Sequence, residues 1–232
     1  MARLHLFAEG QTEQTFADTV LKPHLANMGV HLHYPVLIAH ARKKGRVYRG
    51  GGRRYLPMKN DIMRLLSQEK GRDVFFTTMI DLYAIHAKFP GLGQAEKLRH
   101  LPVRRVELLE QSFADDIGDP RFLPYIQLHE YEAYLFSDPS CFEYFYDHHE
   151  TQIATLQAIA DGYPTPELIN DGQHSAPSKR IIGQLPDYED AKATVGPQVA
   201  QLIGLDVIRS KCPHFSAWLT RLEKLGTALM VS

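Results

Sequence analysis

Apolar and polar positions change period several times along the chain. Residues 4–8, LHLFA, form a short apolar run that predicts an inner strand. Over residues 11–28 the apolar positions Phe16, Val20, Leu21, Leu25 and Met28 fall at helical spacing, and Pro23 is expected to kink or shorten that helix. Gly29 fits its C-cap. Residues 30–41, VHLHYPVLIAHA, alternate and then turn apolar, which predicts a second strand interrupted at Pro35. A stretch rich in Gly and Arg, residues 42–55, reads as a loop. Pro57 can start a helix with Ile62, Leu65 and Leu66 on one face. Residues 73–80, DVFFTTMI, predict a strong strand that ends at Asp81. A loop with Pro90, Gly91 and Gly93 leads to a helix from Gln94, broken near Pro102 and resumed over 103–113. Residues 122–128, FLPYIQL, predict the next strand, which runs into His129, Glu130, Tyr131 and Glu132.

Strand and helix alternate in this way through the first part of the chain, which argues for α/β architecture with a mostly parallel sheet flanked by helices. Residues 1–137 are expected to form that core. Residues 138–232 read as a helical C-terminal part packed on it as one continuous domain, with breaks at 162–166, 172–177 and Pro186. In that part Phe215, Trp218 and Leu222 make an apolar stripe that suits either core packing or a partner face.

Composition narrows the class. The chain has 232 residues, 44% hydrophobic and 23% charged, which suits a globular fold with a sizeable core. The net charge of −1 gives no global pull toward nucleic acid, so any such affinity must come from local patches. Cys141 and Cys212 have no CxxC spacing, which disfavours a disulfide framework or a cysteine zinc site. The N-terminal apolar run is too short for a signal peptide, and no run approaches the roughly 18 apolar residues of a membrane span. A soluble, cytoplasmic protein is expected.

Acids recur at the predicted strand ends. Glu9 follows the first strand, Asp81 the third, and Glu130 with Glu132 the fourth. Ligands of open α/β sheets bind beyond the carboxyl ends of the strands. Carboxylates brought together there repel one another unless protons or cations intervene. A hard divalent cation, Mg²⁺ or Mn²⁺, satisfies such an oxygen-rich edge and suits phosphodiester hydrolysis. Taken singly, each acid also fits a helix cap or a solvated loop. Glu13 fits either a second-metal ligand or a solvent-facing charge in the first helical turn.

The stretch EGQTEQTF, from Glu9 to Phe16, followed by a strand ending in Asp81, resembles the Toprim-like proteins, and its EGxTE form resembles nucleases of the overcoming-lysogenization-defect type. Four further stretches, TTMIDLYAIHAKFPG, IQLHEYEAYLFSDP, APSKRI and CPHFSAWLTRLE, resemble the family named domain of unknown function 4276 over nearly the whole chain. The resemblance implies a Toprim-like core with metal-dependent nuclease activity, encoded beside an ATPase partner in an anti-phage system. It implies that Glu9 is a metal ligand or general acid/base and that Asp81 is the first aspartate of an Asp-x-Asp pair. The second aspartate falls on Tyr83, a poor Mg²⁺ ligand. Either Glu130 or Glu132 replaces it, or the metal site is degraded.

Basic groups supply the second half of the expectation. Arg42, Lys43, Lys44, Arg46, Arg49, Arg53 and Arg54 lie in one segment without an acid, and Tyr48 and Tyr55 are available there to stack on bases. The partner implied is DNA or RNA. Lys179 and Arg180 fall at a predicted helix start after Pro177, where they oppose the helix dipole. Lys179 is the candidate for stabilising a pentavalent phosphate, and Arg180 for holding the backbone. His129 could orient a ligand or shuttle a proton, while His86, His148, His149 and His214 lack metal-like spacing. No Walker loop, GxSxG elbow or GxGxxG appears. Two classes remain at this point: a metal-dependent nuclease, or a non-catalytic Toprim-like module that docks on an ATPase or nucleic acid.

Overall fold

Strand β1, Ala2–Ala8, alternates its burial between two cores. Leu4, Leu6 and Ala8 enter one, and Phe7 enters the other. Both faces of the sheet are therefore covered, as parallel sheets require. The computed structural model describes residues 1–43, 46–49, 55–85, 88–169, 172 and 175–228, with the backbone alone at 39–43, 46–49, 84 and 228.

The helix after β1 is continuous but not uniform. Helix α1, Gln11–Phe16, passes through a π-helical stretch, Ala17–Leu21, into α2, Lys22–Asn27. The Lys22 N–H bonds to the carbonyl of Ala17, five residues back. Pro23 was expected to kink or shorten the helix; the widened turn just before it absorbs the conflict instead. Gly29 ends the helix with φ of 76°. A Cβ on Gly226, in the last helix, would stand 2.0 Å from the Met28 carbonyl oxygen, so the chain ends of this region meet backbone to backbone.

Strands β2, Val30–Leu32, and β3, Val36–Leu37, follow on one side of β1, split at Pro35 as the sequence predicts. The segment read as a loop is in part a hairpin: β4, Ala39–Lys43, pairs antiparallel with β5, Arg46–Arg49. Val47 and Tyr48 favour strand, and the glycines around them do not prevent the pairing. Helix α3, Tyr55–Gln68, precedes β6, Val74–Asp81, which pairs parallel with β1 on its other side. Helices α4, Leu92–Ala95, and α5, Pro102–Ile117, lead to β7, Phe122–Leu123, and β8, Ile126–Gln127, separated at Pro124. Both short strands run parallel to β6.

The six-stranded sheet has the path β2-β1-β6-β7, with β3 on β1 and β8 on β6. The chain first adds strands to one side of β1, then crosses to the other. The order reverses between β1 and β6, and ligands of such sheets bind beyond the strand ends at that crevice. Helices α3 and α5 cover one face through Ile62, Leu66, Val106, Leu109 and Phe113.

The other face carries α1 and the C-terminal helices. These are α6, Glu150–Asp161; α7, Pro177–Gln184; α8, Tyr188–Ile203; α9, Leu205–Lys211; and α10, Pro213–Ala228. Phe215, Trp218 and Leu222 are buried in the same core as Leu4 and Leu6, so their stripe packs the interior. The Trp218 indole N–H donates to the Thr77 hydroxyl of β6 at 2.9 Å, which ties α10 to the middle of the sheet. Cys141 and Cys212 are both free and buried.

Candidate metal centre

The reversal point brings two acids together. Glu9 leaves β1 with its N–H bonded to the Met79 carbonyl, so it continues the ladder one step past the strand. Its carboxylate oxygen Oε2 accepts the Asp81 N–H at 2.9 Å. The side chain of one strand end thus reads the backbone of its neighbour. Asp81 is the last residue of β6 and stands in register with Gln127 of β8. Gln127 Nε2 donates to Asp81 Oδ1 at 2.6 Å, and the Tyr131 N–H donates to the same oxygen at 3.2 Å.

Glu13 is buried, which corrects the solvent-facing expectation. Its Oε2 turns back to accept the Gly10 N–H at 2.9 Å, a capping interaction at the start of α1. Gly10 itself has φ of −137°, an ordinary extended backbone. Its reason is proximity, since a Cβ there would stand 3.1 Å from Glu13 Oε2.

After β8 the chain passes through His129 at φ 65°, an uncommon left-handed conformation for a non-glycine residue. The His129 carbonyl accepts the Tyr83 N–H, fixing this turn against the end of β6. The chain then enters a 3₁₀ segment, Tyr131–Ser137, which buries Glu132. Glu130 Oε2 accepts the Ser178 N–H from the first turn of α7 at 2.9 Å. Glu132 Oε1 lies 3.8 Å from the Lys192 ammonium of α8.

Electrostatics join these acids into one group. Loss of hydration pushes the Asp81 carboxyl well above its ordinary value, and Glu9, Glu13, Glu130 and Glu132 add to the rise. Burial also raises Glu13, against the hydrogen bonds from Gly10 and Gln127 that favour its charged form. Glu132 is pushed up to about 7 by burial and by Glu130, with Lys192 opposing. Without a counter-ion, the cluster therefore holds protons that isolated carboxylates would release.

The donor chemistry of the clustered acids fits a hard divalent cation: carboxylate oxygens, with Lys192 the one cation facing them among the described residues. Among the described residues, no three side chains of Asp, Glu, His or Cys already stand in a ligating arrangement. The reason is visible in the bonding. Glu9, Glu13, Asp81 and Glu130 each accept a protein N–H, and Glu132 faces Lys192. A bound cation would exchange against those donors.

Other expected residues fall elsewhere. Tyr83, where the resemblance expects a second aspartate, is 49% exposed. Lys179 extends toward Glu189 at 3.9 Å, with about half of its side chain exposed. Arg180 donates to the Ser175 carbonyl and the Tyr163 hydroxyl and lies over the Tyr163 ring, so its guanidinium ties the loop before α7. Tyr55 is not free to stack on bases, because its hydroxyl donates to Asp116 and its ring packs on Phe89 and Phe113. Arg42, Lys43, Arg46 and Arg49 lie on the β4–β5 hairpin, where Lys43 stands opposite Arg46. Lys44, Arg53, Arg54 and His86 lie outside the described residues. His214 is partly buried and bonds Glu110 and the Ile126 carbonyl.

Two neighbours of the cluster were missed by the sequence reading. Gln127 gave a signal, as a polar residue at a fully buried strand position, 1% exposed. Lys192 gave none, because α8 is brought to the site only by tertiary packing.

The family model described as "Domain of unknown function (DUF4276)" matches residues 8–223. No curated protein matches the chain. Among solved structures, it is similar to the C-terminal region of the Burkholderia pseudomallei OLD protein, with 15% identity and a TM-score of 0.45, over 97% of this chain and 99% of that one.

Proposed function

The chain belongs to the DUF4276 family, and we propose that it is a Mg²⁺- or Mn²⁺-dependent nuclease that hydrolyses phosphodiester bonds of DNA or RNA. The supporting observation is the meeting of Glu9 and Asp81 at adjacent strand ends where the sheet order reverses, with Glu13, Glu130 and Glu132 near enough to raise the Asp81 carboxyl. In this reading Glu9 and Asp81 hold the cation from adjacent strand ends, with Glu13, Glu130 and Glu132 as the further candidate ligands. When bound, the cation would polarise the phosphate and lower the pKa of an attacking water. The chain's own part is to gather the acids, which protein N–H groups and retained protons hold until the cation arrives. Lys192 balances Glu132 meanwhile.

The basic hairpin and Lys179 would hold the nucleic-acid backbone. The resemblance of the EGxTE form supports work beside a partner ATPase in phage defence. No helix of the described residues is long and apolar enough to cross a membrane, which is compatible with a cytoplasmic site of action.

The test is incubation of purified protein with plasmid, single-stranded DNA and tRNA, in Mn²⁺ and in EDTA, with and without a neighbouring ATPase. Cleavage only with Mn²⁺ is expected. Absence of metal-dependent cleavage in every combination would sink the proposal. The competing reading, a non-catalytic docking module, is favoured by one observation: Tyr83 is exposed in place of an acid. Stable co-purification with an ATPase, together with no Mn²⁺ binding, would support it.

A further inference from the structure

Tyr83 stands exposed where the resemblance expects a second strand-end aspartate. The structure offers a replacement on the neighbouring strand. Gln127 stands opposite Asp81 in the β6–β8 register, and its amide nitrogen is 2.6 Å from Asp81 Oδ1. The same amide supports Glu13. The residue is 1% exposed, and its carboxamide oxygen is buried with no hydrogen-bond partner.

Leaving a buried carbonyl oxygen unpaired is costly, because it gives up its bonds to water and gains none in the protein. A leucine would fill this position without that cost. Moreover, a carboxamide presents a donor on one side and an acceptor on the other. Rotation about its last bond exchanges the two. With the acids uncompensated, the nitrogen faces Asp81; with a cation between them, the oxygen would be the favoured end.

From this we infer that Gln127 takes the place of the absent strand-end carboxylate and presents a neutral oxygen ligand to the cation held by Glu9 and Asp81. The inference rests on the cation reading above. It implies a site with one negative charge fewer than a second carboxylate would give.

Calorimetric titration of Mn²⁺ into the full chain, paired with thermal melts, tests it. Wild type should bind, and Gln127→Leu should bind roughly ten- to a hundredfold more weakly while keeping its near-ultraviolet circular dichroism. Gln127→Glu separates a ligand from a mere support. If the amide only donates to Asp81, a carboxylate there repels it and Mn²⁺ binding weakens. If the oxygen is a ligand, Gln127→Glu melts earlier than wild type in EDTA yet binds Mn²⁺ more tightly. Should Gln127→Glu fail to fold in EDTA, folding driven by Mn²⁺ supports the assignment, and failure to fold with Mn²⁺ opposes it. Unchanged affinity in Gln127→Leu, or weaker affinity in Gln127→Glu, overturns the role of Gln127 alone. No binding by wild type removes the cation reading itself.

Discussion

Glu132→Gln should stabilise the protein at pH 8 in the absence of divalent cations. Glu132 is 7% exposed, and burial together with Glu130 pushes its carboxyl up to about 7 in the folded chain, from about 4.5 for a free glutamate. The folded state therefore binds this proton more tightly than the unfolded chain does. Between about pH 4.5 and 7 only the folded state keeps the proton, so this group's contribution to stability falls as pH rises. Above pH 7 the full cost applies. At about 1.36 kcal/mol per unit the shift corresponds to roughly 3 kcal/mol. Replacing the carboxylate by a carboxamide removes that cost. The attraction of Lys192, 3.8 Å away, already opposes that shift and is counted in it. A gain of about 3 kcal/mol is therefore expected, or a rise in Tm of roughly 6–12 °C for a chain of this size. Paired melts of wild type and Glu132→Gln in EDTA, at pH 8 and pH 4.5, measure it. The gain should be present at pH 8 and nearly absent at pH 4.5, where both side chains are neutral. A variant equally or less stable than wild type at pH 8 would refute the burial and crowding of this acid.

Three other outcomes follow from single contacts. Glu9→Gln keeps an oxygen to accept the Asp81 N–H, so it should melt within about 1 kcal/mol of wild type while losing Mn²⁺-dependent cleavage; retained cleavage would show that the site is misassigned. Glu167 accepts the N–H groups of His214 and Phe215 at 2.9 and 2.8 Å from a buried position, so Glu167→Ala should cost about 3 kcal/mol in urea unfolding by stranding two donors at the start of α10. Gly226→Ala gains about 1 kcal/mol of helix propensity, yet its Cβ meets the Met28 carbonyl oxygen at 2.0 Å, so a net loss of about 2 kcal/mol is expected and a neutral result would contradict the close approach.

Much of the sheet could be read from local pattern. β1 and β6 are apolar runs closed by an acid, and their interruptions at Pro35 and Pro124 on the flanking strands follow from a missing donor. The acids at the strand ends were legible for the same reason, because parallel strands place like ends together. What lay beyond reach was set by tertiary geometry. Glu13 carries a favourable first-turn charge in sequence, and only the fold shows it turned inward against Gly10. Lys192 belongs to a helix remote in sequence, and Arg180 is held by Tyr163 rather than left to a phosphate. The π-helical turn before Pro23 is a backbone answer that apolar spacing does not encode.

The central claim is that the acids beyond β1 and β6 hold a divalent cation. Anomalous diffraction from crystals grown with Mn²⁺ tests it most directly. An anomalous peak bounded by the carboxylates of Glu9, Asp81 and Glu132 is expected, and it should be lost in Glu9→Gln. Mn²⁺ peaks confined to other parts of the molecule, or none at all at saturating Mn²⁺, would contradict it.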